Sequence, residues 1–272
     1  MKSWIAYSFA AAVAAGLALW QPASAEGHYH FPFPDKLEAP VVFQAAGPTA
    51  ASIQSTVDQF RAALGGVNNG NQPGPLVDGR REINWDGGGS SATSPGTTPF
   101  DVFLITRGAR MTTPGTGFVQ APPSGLATTF GNASYATGFA PFSPLRLFSP
   151  VGSNVTRVAF FLPGGGELPA LTPAFGAVFS DVNQQNGLGF DHGLKKNSIV
   201  EYYGAHGELL VRGEVPASPG TATFSFFGIV FSDPRIARVR IVTGDVAPGG
   251  NDGFKDVVVM DDFIYAEPKL VQ

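Results

Sequence analysis

From residue 80 to residue 268, short runs rich in β-branched and aromatic residues alternate with clusters of glycine and proline, a rhythm that predicts strands. The runs span 82–85, 102–106, 155–162, 175–182, 199–203, 208–215, 223–231, 236–243 and 257–265. In the eighth run Ala237, Val239 and Ile241 fall on one side while Arg238 and Arg240 fall on the other, the period of a half-solvated antiparallel strand. Tyr203-Gly204-Ala205-His206-Gly207-Glu208 joins two runs through glycines suited to a hairpin turn. One stretch has the other period. Between residues 49 and 64, Ile53, Val57, Phe60 and Leu64 recur at helical spacing, opposite Gln54, Ser55, Asp58 and Arg61, and Gly65-Gly66 follows as a stop. That polar face lacks the lysine and arginine richness of a membrane-surface helix, so the helix is expected to pack on the β body.

The pattern therefore predicts a mainly β protein: an antiparallel, jelly-roll-like sandwich with one N-terminal amphipathic helix. Its expected divisions are a signal segment 1–25, an extended tail 26–47, the helix 48–66, a linker 67–79 rich in Asn, Gly and Pro, and the sandwich 80–268. Closing such a sandwich places the first strand, near Ile83, beside the last, near Val259.

The first 25 residues change the picture of where the protein works. Lys2 gives a positive start, residues 4–20 carry no charge, and Ala23-Ser24-Ala25 has the small-x-small form of a cleavage site. An apolar run of this length stands at the lower limit for an uncleaved membrane anchor. The small residues at its end and the lack of a basic stop-transfer cluster favour cleavage, hence a secreted or periplasmic bacterial protein without a membrane span. Cysteine is absent, which excludes a disulfide framework, a thiolate zinc site and a cysteine nucleophile. Low charge with abundant Phe is opposite to the composition of disorder, so the chain folds. Loss of Lys2 would leave the mature chain one unit more negative than the formal −4, with its Lys and Arg scattered along the sequence, which argues against a nucleic-acid partner.

Four segments, 42–47 (VFQAAG), 79–87 (GRREINWDG), 175–182 (FGAVFSDV) and 257–265 (VVVMDDFIY), together resemble a family of uncharacterised secreted bacterial proteins. The closing Asp-Asp-Phe strand is also similar to the last strand of carbohydrate-binding jelly rolls and of proteins with exosortase sorting tails. Such tails add an apolar helix and a basic end, which the residues after Pro268 lack, so the resemblance implies a released protein. It implies a β-sandwich fold and no settled activity. Carbohydrate-binding jelly rolls often hold a structural calcium near these strands.

Candidate chemistry is sparse. Asn84 and Asp86 at the first β segment and Asp256, Asp261 and Asp262 at the last would converge if the end strands are neighbours. Their oxygens could then hold a structural Ca2+ or simply accept hydrogen bonds where the strands meet. Cleavage after Ala25 would expose Glu26-Gly27-His28, an amine, two amides and an imidazole suited to square-planar Cu2+, or else a solvated tail. Tyr135, Tyr202 and Tyr203 are the candidate sugar-stacking rings, whereas Trp85 sits within a strand and is expected in the core. No Gly-x-Ser-x-Gly elbow occurs, and the glycine-rich 87–89 and 164–166 lack the context of a phosphate loop. His192 and His206 read as loop residues, and Lys195-Lys196 as a solvated face. Asp181, Asp191 and Glu201 are the acids a glycosidase would have to draw on. The leading expectation is a non-enzymatic module binding an extracellular polysaccharide or other cell-surface polymer, with an extracellular polymer hydrolase and a matrix protein as alternatives.

Overall fold

A computed structural model describes residues 38–183, 198–252 and 255–270. The signal segment, His28 and most of the tail, as well as Asp191, His192 and Lys195-Lys196, lie outside the described residues. The chain opens with β1 (Val41–Gly47) and α1 (Ala50–Ala63), followed by β2 (Arg80–Ile83), β3 (Ser94–Gly96), α2 (Leu104–Arg107), β4 (Ala109–Thr112) and β5 (Gly117–Ala121). Two helices, α3 (Pro123–Phe130) and α4 (Tyr135–Gly138), precede β6 (Leu147–Val151), β7 (Val155–Phe160), β8 (Ala170–Leu171) and β9 (Ala174–Ser180). The last strands are β10 (Ile199–Tyr203), β11 (Leu209–Glu214), β12 (Phe224–Val230), β13 (Arg238–Val242), β14 (Val259–Ala266) and β15 (Lys269–Leu270).

These form an antiparallel sandwich. One sheet runs β1-β12-β9-β14-β6-β5-β3, with β2 also paired to β14; the other runs β11-β10-β13-β7-β4. The expected closure is present: Ile83 pairs with Phe263 and Arg80 with Ala266. Between the sheets lies an aromatic core in which Trp85 stacks on Phe148 at 3.7 Å and meets Phe263 edge-on at 5.0 Å. Trp85 is therefore a core residue, as its place in the sequence suggested.

The amphipathic helix covers the outer side of the larger sheet. Ile53, Val57, Phe60 and Leu64 pack on Ala174, Val178, Phe226 and Ile264. Phe60 lies so close to the strands that a Cβ at Gly176 or Gly228 would stand 3.0 or 2.9 Å from its ring. Between core and helix, every residue of β9 is buried, which is why that strand reads as a continuous apolar run instead of alternating.

Several sequence expectations need correction. Residues 41–47 are no tail: they pair with β12 along seven positions and form the edge of the larger sheet. The stretch 102–106, read as a strand, contains α2, which Gly108 terminates in the left-handed region at φ 66. β3, β4, β5 and β6 were not anticipated, because Pro95, Gly117 and Pro150 interrupt any alternation there. The sheet accommodates these breakers: β3 is an edge strand, and β6 meets β14 only at Phe148, leaving the position of Pro150 free of a ladder on that side.

Candidate functional site

The acidic residues singled out in the sequence gather where β14 changes partner. On its second side β14 meets β6 at Met260 and β2 from Phe263 onward, so two strands lie end to end along one. Across the gap the register with β9 slips: Met260 opposes Phe179 and Phe263 opposes Ala177, leaving Asp261 and Asp262 against one residue. Such a bulge re-aims side chains that a regular strand would send to opposite faces. Both carboxylates consequently reach the Ser143 hydroxyl, at 3.3 Å from Asp261 and 2.6 Å from Asp262. Trp85, held at φ 65, donates its indole N–H to the Asp261 carbonyl at 2.9 Å.

The segment entering β6 has no strand partner for its amides, and the carboxylates accept them instead. Asp261 takes the N–H groups of Phe142 (2.5 Å) and Ser143 (3.3 Å). Asp86 takes those of Leu145 and Arg146 (2.8 Å to the latter) and the Asn84 side-chain amide at 3.0 Å. Asp262 pairs with Arg61 at 3.2 Å, and the same guanidinium holds Glu82 at 2.9 Å. Burial pushes the Asp261 carboxyl well above the usual range, reinforced by the Asp262 charge and opposed by the Phe142 amide. Asp262 is raised by burial as well, opposed by Ser143 and Arg61.

This geometry matches the hydrogen-bonding alternative better than the calcium one. The oxygens of Asp86, Asp261 and Asp262 already face N–H and O–H donors, and Asn84 presents its NH2 to Asp86. Among the described residues, no three His, Asp or Glu side chains are placed to hold a metal together. Asp256 does not join the cluster: it precedes β14 and accepts the Asn183 amide at 3.3 Å. Sequence reasoning missed Arg61, Glu82 and Ser143. A run of acids that must be buried calls for a nearby cation, but nothing in the sequence says that the helix supplies it.

The candidate stacking rings separate. Tyr202 is fully buried, its hydroxyl donated to the Phe175 carbonyl at 3.2 Å, and is a core ring instead of a binding platform. Tyr135 is 3 % exposed, so its ring is unavailable for stacking too. Its hydroxyl, bonded to Asp252 at 2.6 Å, lines a polar cavity of about 380 Å³ with Asp181, Asn183, Thr221 and Lys255. In that cavity burial pushes Asp181 up to about 6, against hydrogen bonds from Ala222 and Asn183.

Tyr203 alone is partly exposed, and it stands on the outer face of the five-stranded sheet. Register places Arg157, Arg240, Glu201 and Arg212 in one row across β7, β13, β10 and β11. The next row holds Ala159, Arg238, Tyr203 and Leu209. Arg157, Arg212 and Arg238 are exposed, and Arg240 is half-buried. Glu201 accepts Arg240 at 2.7 Å and the Tyr203 hydroxyl at 2.9 Å. Burial would raise Glu201, but the Arg240 and Tyr203 hydrogen bonds outweigh it and hold the carboxyl below its usual range. A shallow groove of about 200 Å³ runs between Arg157, Tyr203, Gly207, Arg238 and Arg240. Arg110, further along the face, is already bound by Asp101 at 2.6 Å and Glu167 at 2.7 Å.

Two acids named for a hydrolase thus lie on different sheets: Asp181 follows β9, whereas Glu201 sits on the outer face of β10 and is committed to Arg240. Among the described residues, no helix is long and apolar enough to cross a membrane. Comparison with protein-family models, curated proteins and solved structures finds no match.

Proposed function

We propose that this chain is an exported, non-enzymatic binding module that holds an extracellular polysaccharide on the outer face of its five-stranded sheet. One observation carries the reading: Tyr203 stands beside a row of arginines on a sheet face that no described helix covers, while the opposite sheet is covered by α1. The groove is smaller than the roughly 300–1,000 Å³ that encloses a small ligand and is open along the sheet, which suits one ring of a longer chain. A tyrosine face stacks on a sugar's apolar face, and the arginines donate to its oxygens. Retention of the purified protein on polysaccharide gels tests this. Tyr203→Ala is expected to abolish most of the retardation without lowering the melting temperature, and unchanged retardation would move the site elsewhere.

The Asp181 cavity supports a second reading, the polymer hydrolase. A carboxyl pushed up to about 6 beside a second carboxylate, Asp252, has the character of a general acid. That reading requires polymer cleavage that disappears in Asp181→Asn and persists in Tyr203→Ala; turnover intact in Asp181→Asn removes it.

A further inference from the structure

We propose that the polymer held on this face is an acidic polysaccharide, its anionic groups meeting Arg157, Arg212 and Arg238 beside the Arg240–Glu201 pair while a sugar ring lies against Tyr203. The inference rests on the binding-module reading and narrows it to one class of ligand.

Charge is the first argument. The chain is acidic overall, at −4, yet four arginines converge on this face. The one acid in their row, Glu201, is paired with Arg240, and the two charges offset each other; the Tyr203 hydroxyl donates to the same carboxylate. Arg157 and Arg238 make no ion pair among the described residues. The sequence spreads these arginines over residues 157–240, so their convergence appears only when the strands pair.

Register is the second argument. Arg157 stands directly opposite Arg240 on the neighbouring strand. Arg240 is already paired with Glu201, so Arg157, which has no ion pair among the described residues, is the guanidinium of this pair left to take an anion. With strands about 4.8 Å apart, a chain crossing them meets a guanidinium on β7, on β13 and on β11. The fixed fork of each guanidinium fits a carboxylate or sulfate in a way that a lysine ammonium does not. Single-stranded nucleic acid is the poorer fit, because such sites interleave several stacking rings with their cations and this groove offers only Tyr203.

The test compares polymers that differ only in charge. The full chain is titrated with polygalacturonate, with its fully methyl-esterified form, and with oligodeoxythymidine, at two salt concentrations. Polygalacturonate is expected to bind at least about tenfold more tightly than the ester. Each removed arginine should flatten the slope of log affinity against log salt by about one, so an Arg157→Gln/Arg238→Gln pair should flatten it by about two and weaken binding about tenfold or more. Arg110→Gln, whose guanidinium is already taken by Asp101 and Glu167, should change nothing. All three residues are on the surface, so unchanged melting temperatures will show that the variants are folded. Equal binding of acid and ester overturns the charge selectivity but leaves the binding module standing. Failure to retain either polymer, alginate or a sulfated glycan overturns both. Oligodeoxythymidine binding as tightly as polygalacturonate replaces the polysaccharide with a generic polyanion.

Discussion

The two ends of β14 bury charge in opposite ways. At its C-terminal end Arg81 and Glu267, both essentially inaccessible, form a paired fork at 2.6 and 2.7 Å. The remaining Arg81 nitrogen donates to the carbonyls of Gly70, Gln72 and Thr106, and Glu267 accepts the Asn69 amide and the Leu76 N–H. Five residues earlier, Asp262 and Glu82 share the guanidinium of Arg61, Glu82 is held by Arg80 as well, and Asp86 and Asp261 accept backbone amides without an ion pair among the described residues. The first end is balanced and saturated; it pins the 67–79 segment to the sheet. The second carries excess acid and is held by neutral donors, mainly backbone amides, so its stability depends on protonation. A buried ion pair needs a partner of opposite charge, whereas buried carboxylates in excess need dipoles and a raised affinity for protons.

The largest test of this contrast is Arg81→Ala, which strands Glu267 in the interior. It should cost about 3–5 kcal/mol in urea unfolding, and an Arg81→Met/Glu267→Leu pair should recover most of that loss. A pair no more stable than the single variant would show that the loop carbonyls, and not the charge, are what Arg81 serves.

Asp86→Ala should cost less. It leaves the buried Arg146 amide without an acceptor, at about 1–3 kcal/mol, and frees the more exposed Leu145 amide to water. Measured by urea unfolding, an effect near zero would mean that the segment entering β6 is not held by this carboxylate.

Smaller still is the effect of Asp261→Asn, which keeps an oxygen for the Phe142 amide and removes the charge. Because the folded state holds the Asp261 and Asp262 protons more tightly than the unfolded chain does, it binds more protons above an unfolded carboxyl value of about 3.9. Stability should therefore fall as pH rises from about 4 through the folded values. Melting temperatures across pH 4–8 are expected to decline in the parent protein and to decline less in Asp261→Asn. Asp181, raised to about 6, adds a component confined to about pH 4–6 that Asp181→Asn should remove. A parent protein that gains stability over this range would reverse the sign and place ionised carboxylates at the junction.

The smallest expected effect separates hydrogen bonds from an ion. Melting in excess calcium and in chelator should coincide, because amides and hydroxyls already occupy the carboxylate oxygens. A calcium-dependent gain approaching about 2.7 kcal/mol at hundredfold excess over the dissociation constant would restore the cation to this site.

Alternation and apolar runs in the sequence determined the β character and the α1 face, because burial on one side of a strand or helix imprints its own period; the neighbourhood of Ile83 and β14 was expected from how a sandwich closes and not from the pattern. The same rules concealed α2, which occupies an apolar stretch too short to show which period it follows, and β6, where Pro150 breaks the pattern that pairing with β5 tolerates. For the site, the acids of 84–86 and 261–262 were legible as a cluster, and Asp256 was wrongly included because closeness in sequence was taken for closeness in space. Tertiary structure alone decided that Arg61 crosses from the helix to those acids, that Tyr202 turns inward, and that arginines from β7, β11 and β13 share one face. Strand pairing brings together residues that sequence holds far apart, and a sequence records which side each residue faces but not which strand lies beside it.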